Sequence, residues 1–204
     1  MRLIVIALSG YKGVGKTTFA LNLREFLLWQ NKEGLPLVAK SIGLADALKE
    51  KVADTFGFSL EEIESLKREE DKKVLNDMSM RELLIDFGQK QKEEFGKYIW
   101  CETALKRVLS DVSKGGVCIW IVPDVRFPEE QEFFRGLNTV MLCNIWLERE
   151  GFSLEDINLD DAEKQYKNMS FDRTITLKDG VSMFVPMMEL TFDIKRSLKW
   201  LKNE

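Results

Sequence analysis

Residues 10–17 read Gly10-Tyr11-Lys12-Gly13-Val14-Gly15-Lys16-Thr17, a complete G-x-x-x-x-G-K-[ST] phosphate-binding loop. Its flanks decide the fold. Upstream, Leu3-Ile-Val-Ile-Ala-Leu8 is an unbroken apolar run of strand length. Downstream, residues 17–31 put Phe19, Leu23, Phe26 and Leu27 on one helical face. Strand, glycine turn and helix, in that order, form the context in which this motif holds phosphate. By residue frequencies alone a match arises in on the order of 1% of chains this long, so the flanks carry much of the specificity.

The loop's chemistry follows from its residue types. Glycines at 10, 13 and 15 admit backbone conformations closed to other residues, so that main-chain N–H groups can turn inward around an anion. The helix that starts near Lys16 adds unpaired N–H groups and the positive end of its dipole. Lys16 supplies a mobile cation for the β- and γ-phosphates, and the Thr17 hydroxyl is placed to hold Mg²⁺. Thr18 is the natural second hydroxyl, for an α-phosphate. Gly10, Lys12, Gly13, Val14, Gly15, Lys16, Thr17 and Thr18 are therefore the expected ATP-binding positions.

Composition narrows the remaining choices. The chain has 204 residues, 45% of them hydrophobic and 31% charged, enough for one domain with a sizeable core. A formal net charge of −4 makes no electrostatic case for a nucleic-acid or membrane partner. No apolar run is long enough to span a membrane. The chain enters a strand at once, which predicts no signal peptide. Cys101, Cys118 and Cys143 lie in apolar contexts without metal-like spacing and read as reduced core residues of a cytoplasmic protein. With no histidine, catalysis falls to Lys, Arg, Asp, Glu and a bound metal.

Five strands are expected, at Arg2–Leu8, Leu37–Ile42, Val117–Val122, Thr139–Trp146 and Arg173–Leu177. Helical segments separate most of them, which implies a parallel α/β sheet covered on both faces. Leu44 to Ser113 shows no convincing strand but two capping boxes, Ser59-x-x-Glu62 and Ser79-x-x-Glu82. A helical insertion over about 44–114 is expected, between core segments 1–43 and 115–204. Its charged middle, Glu61 to Lys73, reads as a solvated helix pair. The polar segment 148–170 reads as a lid, with Arg149, Lys164 and Lys167 as its cations. Residues Met187 to Leu201 read as a closing helix with Leu190, Ile194, Leu198 and Leu201 inward.

A second constellation follows the third expected strand: Pro123-Asp124-Val125-Arg126-Phe127-Pro128-Glu129-Glu130. Parallel sheets place ligands beyond the carboxyl ends of their strands. Asp124 there can hold Mg²⁺ through water, and Arg126 can clamp a phosphate bidentately. In the insertion, Asp46 and Lys49 lie one helical turn apart. Arg81 opens a later helix that ends near Phe87-Gly88-Gln89. Lys49 and Arg81 are expected to contact phosphate and Lys72 to be solvated. Trp100 reads equally as a core aromatic or as a base-stacking one.

Taken in order, the loop, Leu44-Ala45-Asp46-Ala47-Leu48-Lys49, Arg81-Glu82-Leu83-Leu84 with Phe87-Gly88, Trp100, and Asp124-Val125-Arg126-Phe127-Pro128 with Glu130 resemble the phage-type deoxynucleoside monophosphate kinases. The match runs from about Arg2 to Glu130. The resemblance implies a P-loop kinase core with a five-stranded parallel sheet, a helical monophosphate-binding insertion and a lid. It implies transfer from ATP to a dNMP with Mg²⁺, in a cytoplasmic protein (the host's cytoplasm if viral). Lys16, Asp124 and Arg126 would be catalytic, and Thr17 and Asp124 would hold the metal. Lys49, Arg81 and Arg126 would hold the acceptor phosphate. Gly88, Gln89 and Trp100 would line the nucleoside pocket. Asp46, Val125 and Glu130 would complete the substrate site, with Glu130 and Asp124 ordering metal, water or arginine. Its partners would be small nucleotides, with a homodimer left open. After the fourth strand, where family members carry His-x-Ser-Glu, this chain has Asp160-Asp161-Ala162-Glu163, and Lys178 replaces an asparagine. The alternatives are another small-molecule kinase on this core, for dephospho-coenzyme A or a nucleoside, or a nucleotide-dependent ATPase or switch protein.

Overall fold

The computed structural model describes residues 2–31, 37–69, 71–110, 112, 116–152, 163–178 and 183–200. Its elements, in chain order, are β1 (Arg2–Ser9), α1 (Lys16–Gln30), β2 (Leu37–Ser41), α2 (Leu44–Phe56), α3 (Leu60–Leu66), β3 (Lys73–Leu75), β4 (Met78–Ser79), α4 (Met80–Phe95) and α5 (Ile99–Leu109). There follow β5 (Val117–Val122), α6 (Pro128–Gly136), β6 (Met141–Arg149), a 3₁₀ helix (Glu163–Asn168), β7 (Arg173–Leu177) and α7 (Phe184–Trp200). The chain forms two units, one of residues Met1–Gly43 with Arg107–Glu204, the other of Leu44–Lys106.

The first unit is built on a five-stranded sheet in the order β2-β5-β1-β6-β7, and every pairing in it is parallel. This is the α/β class expected from the alternation of strands and helices. Period-two alternation sorts the side chains of β1. Ile4, Ile6 and Leu8 join Val117, Ile119, Ile121, Cys143, Ile145 and Leu147 under α1 and α7, which contribute Phe19, Leu23, Leu27, Leu190, Ile194 and Leu198. Leu201 lies outside the described residues. On the other side of β5, Trp120 meets Phe134 of α6 edge to face, with ring centroids 5.4 Å apart. Both faces are covered, so β1 and β5 read as solid apolar runs with no alternation of polarity. Cys101, Cys118 and Cys143 are buried and in no disulfide among the described residues, and burial pushes the Cys118 and Cys143 thiols up to about 11.

The expected strand bounds differ by one residue at the ends of β1 and β2, and most at the fourth strand. The fourth strand of this sheet runs from Met141 to Arg149, not from Thr139 to Trp146. Polar Glu148 and Arg149 look like loop, but pairing with β7, Glu148↔Thr176 and Arg149↔Leu177, carries the strand onward. A parallel neighbour supplies backbone partners whatever the side chains are.

The second unit packs Val52, Ile63, Met80, Leu83 and Leu84 into a core of its own, with Leu48, Phe58, Val74, Leu75 and Phe87 against it. Both capping boxes form: Ser59 Oγ accepts from Glu62 N at 3.1 Å, and Ser79 Oγ accepts from Glu82 N at 3.3 Å. Two expectations are corrected. The stretch 44–113 holds a short hairpin, β3 with β4, whose turn residues Asn76 and Asp77 sit at φ 46° and 59°. Positive φ at both central residues is what a type I′ turn demands, and Asn and Asp tolerate it. Strands of three and two residues are too short to show periodicity. Among its described residues the charged stretch Glu61–Lys73 accordingly holds all but the first residue of one seven-residue helix, α3, then turns and the start of β3, not a helix pair.

Candidate active site

Gly10 leaves β1 at φ 145°, where a Cβ would stand 2.3 Å from the Leu147 carbonyl oxygen of the neighbouring strand. No side chain fits there. Gly15 caps α1 at φ 98°, in the left-handed conformation, and turns the chain into the helix. A Cβ on it would lie 3.2 Å from a guanidinium nitrogen of Arg149, so the end of β6 flanks the mouth of the loop. The Lys16 ammonium donates to the Gly10 carbonyl at 2.5 Å and the Tyr11 carbonyl at 2.8 Å, reaching back across the loop. Thr17 and Thr18 are exposed in the first turn of α1, while Val14 is buried as the loop's apolar anchor. Lys12 and Gly13 are exposed.

The Asp124–Arg126 turn is pinned beside the start of the loop. Val125 N donates to Leu8 O at 3.1 Å, and the buried Ser9 hydroxyl donates to Val125 O at 2.8 Å. Val125 itself is fully buried. These bonds bring the tip of β5 against the last residues of β1, immediately before Gly10. Glu130, also buried, accepts from Arg126 N at 2.7 Å and Phe127 N at 3.1 Å. It caps α6 and fixes the turn that carries Arg126. The Asp124 carboxylate lies against Gly43 so closely that a Cβ there would fall 2.7 Å from Oδ2. Gly43 was not legible as a site residue, because nothing in Ile42-Gly43-Leu44 announces a neighbour from β5.

Thr17 and Asp124, the expected metal ligands, have the donor chemistry that Mg²⁺ takes. A threonine hydroxyl and a carboxylate are hard oxygen ligands, and the bare Cα of Gly43 leaves the space that Asp124 occupies. Among the described residues no group of three or more His, Cys, Asp or Glu could hold a metal ion. A cation held by few protein ligands and completed by substrate phosphates is the usual condition of Mg²⁺.

In the second unit Lys49 pairs with Asp46 at 3.1 Å and with Glu64 at 2.8 Å. Burial opposes the Lys49 charge, but the hydrogen bond that the ammonium donates to Glu64, with Asp46 beside it, outweighs burial and holds the ammonium above its usual range. Glu64 also takes Lys67, at 3.4 Å. Arg81 Nε donates to the Lys67 carbonyl at 3.1 Å. Burial, then the nearby Lys49, lowers the Lys67 pKa, and the Arg81 charge adds to this. Lys49 and Lys67 thus share Glu64, and Arg81 is bonded to the Lys67 backbone. Lys49 and Arg81 are expected phosphate contacts from the sequence, whereas Lys67 and Glu64 look there like members of a solvated charged run. Trp100 is 7% exposed, its indole N–H donates to Gly88 O at 3.3 Å, and its ring lies 6.5 Å from that of Phe87. Gly88 packs on Leu48, where a Cβ would lie 3.3 Å from Cδ2. Gln89 is exposed and bonds Glu93 at 2.9 Å.

Of the expected lid, 153–162 lies outside the described residues, and with it Asp160, Asp161 and Ala162. Its end is no flap. Glu163 and Tyr166 of the 3₁₀ helix are buried against the phosphate loop, for which the acidic sequence gave no signal. Among the described residues, no helix is long and apolar enough to cross a membrane.

No protein-family model matches the chain, and no curated protein matches it in sequence. Among solved structures it is similar to a cysteine-to-alanine mutant of the Mycobacterium tuberculosis APS kinase CysC, at 14% identity and a TM-score of 0.39, over 97% of this chain and 98% of that one. A likeness of that size carries no argument about function. The weight rests on the loop and on the residues around it.

Proposed function

We propose that this protein is a deoxynucleoside monophosphate kinase, transferring the γ-phosphoryl group of ATP to a dNMP to give dNDP and ADP. The observation that carries the reading is the phosphate loop on β1, with Lys16 and Thr17 in place and the Asp124–Arg126 turn bonded to Leu8 and Ser9 beside it. Binding of a triphosphate tail alone would need only the loop. An arginine held next to it by a capped turn supports a second phosphate group.

Phosphoryl transfer asks for little covalent help. It asks for two anions held in line and for their charge to be neutralised. In this reading loop amides and Lys16 take the ATP phosphates. Arg126 takes the acceptor phosphate, and the resemblance offers Lys49 and Arg81 of the second unit as candidates for the same role. The acceptor oxygen is already ionised near neutral pH, so no general base is needed. Mg²⁺, held by Thr17 and Asp124, would supply charge neutralisation on the triphosphate.

The test is a coupled ADP-release assay across all deoxy- and ribonucleoside monophosphates, with dephospho-coenzyme A and nucleosides in the same panel and phosphate release without acceptor alongside. ADP release that depends on a dNMP is the expected result. ATP consumed equally well with no acceptor sinks the kinase reading, and turnover confined to another acceptor replaces the substrate.

A further inference from the structure

We propose that Glu163 and Tyr166 are positioning residues that hold the phosphate loop in its anion-binding shape from outside; the inference rests on the reading that this loop takes a nucleoside triphosphate. Glu163 Oε1 accepts the Lys12 backbone N–H at 2.7 Å. The Tyr166 hydroxyl donates to the Gly10 carbonyl at 3.1 Å. Both residues belong to the 3₁₀ helix Glu163–Asn168, in which positions three apart eclipse, so one short turn delivers both groups to the loop. Glu163 is 5% exposed and Tyr166 6%.

Between the two bonded positions, Tyr11 is clasped by aromatic rings. It meets Trp146 edge to face at 5.1 Å and Tyr166 at 5.7 Å, and it stacks on Phe152 at 6.5 Å. Trp146 and Tyr166 in turn lie 5.1 Å apart. Gly10, Tyr11 and Lys12 are thereby each held by a different contact, and none of these contacts comes from the loop itself.

Two features point beyond plain stability. A carboxylate is a costly group to bury, and here it stands beside a loop built to receive an anion, which it repels. What it provides in return is a charge-assisted bond that fixes the Lys12 amide, and with it the sense in which the backbone enters the glycine turn. Tyr166 addresses a second difficulty. The Gly10 carbonyl also accepts from Lys16 Nζ at 2.5 Å. When Lys16 turns to a phosphate, a carbonyl without another donor would be left unsatisfied, and Tyr166 keeps it bonded. The pair therefore favours the loop shape that binds nucleotide and eases release of the lysine that must act on it.

The experiment measures ATP and ADP affinity by calorimetry on the full chain, for wild type, Glu163→Ala, Glu163→Gln and Tyr166→Phe, with a thermal melt of each. Glutamine retains an acceptor for Lys12, and phenylalanine retains the ring. Glu163→Ala is expected to weaken ATP binding about tenfold or more, Glu163→Gln to stay within about threefold of wild type, and Tyr166→Phe to weaken it about three- to tenfold. In turnover the change should fall on KM for ATP more than on kcat. Variants that melt lower yet bind ATP as wild type does would reduce the pair to a structural contact and overturn the proposal. Glu163→Gln as weak as Glu163→Ala would overturn the hydrogen-bonding role. Should Glu163→Ala not fold, Tyr166→Phe decides by itself, and unchanged affinity there counts against the proposal. Wild type that binds no ATP would remove the loop reading first, and this inference with it.

Discussion

Around the phosphate loop, position is set by backbone: strands on either side, glycines that admit no side chain, and buried contacts from Ser9, Glu163 and Tyr166. Around Glu64 in the helical unit, position is set by long side chains paired with one another, Lys49 with Asp46 and Glu64, and Lys67 with Glu64. The first arrangement is held from several sides and is set before any ligand arrives. The second has its cations already neutralised in part by carboxylates, and can re-pair at little cost, because partly exposed ion pairs are worth little each. The comparison teaches that the two proposed anion contacts are held differently, one by backbone and one by paired side chains, and that the two should respond differently to substitution.

Lys16 gives the largest effect. Lys16→Ala should lower turnover ~10³-fold or more, and Lys16→Arg should restore little of it, because the stiff loop leaves no room for a broader head group. Steady-state kinetics on protein of unchanged circular dichroism checks this, and a well-tolerated Lys16→Arg would break the contrast. Arg126→Ala comes next. It should raise KM for the monophosphate roughly tenfold or more while KM for ATP holds steady, and unchanged dNMP saturation would remove Arg126 from the acceptor site. In the adjustable cluster, Lys49→Ala should also raise the acceptor KM about tenfold, but Lys49→Arg should stay within about threefold of wild type. Equal sensitivity of Lys16 and Lys49 to arginine would show that the two regions do not differ in stiffness.

Smaller effects are confined to the helical unit. Ser79→Ala removes the cap of α4 and should cost about 1 kcal/mol in urea unfolding. Glu82 sharpens the same point through pH. Its carboxyl accepts from the Ser79 backbone and pairs with Lys73 at 3.1 Å, which lowers its pKa to about 2. A depressed carboxylate stabilises the fold above its unfolded pKa, and that contribution is lost as pH falls toward the folded value. Acid titration of helicity should therefore show a loss between about pH 4.5 and pH 2 that Glu82→Gln flattens. An identical acid limb in the variant would mean that the cap is no stronger charged than neutral.

Much of the fold was legible because its signals are local. The glycine spacing of the loop, the solid apolar runs of β1 and β5 and the two Ser-x-x-Glu boxes each declare themselves within a few residues. The misses share a cause. Where β6 ends depends on β7, and the hairpin at Asn76-Asp77 has strands too short for periodicity. Among site residues, Lys16, Thr17, Asp124 and Arg126 could be named from motif and strand-end position. Gly43, Glu163, Tyr166 and the Lys67–Glu64 pair could not, since the partner of each lies on another element.

What the amino-acid sequence determined by itself was a motif in its setting: a glycine-patterned turn between an apolar strand and a helix, the context in which such a loop can hold phosphate. What only the tertiary structure decided was which groups hold that cradle and its neighbours in place. Asp124 meets Gly43, Ser9 meets Val125, and Glu163 meets Lys12, across separations of 81, 116 and 151 positions. The physical reason is that backbone conformation is written in nearest neighbours, whereas a hydrogen bond or a steric limit between distant residues exists only once packing has brought them within a few ångströms.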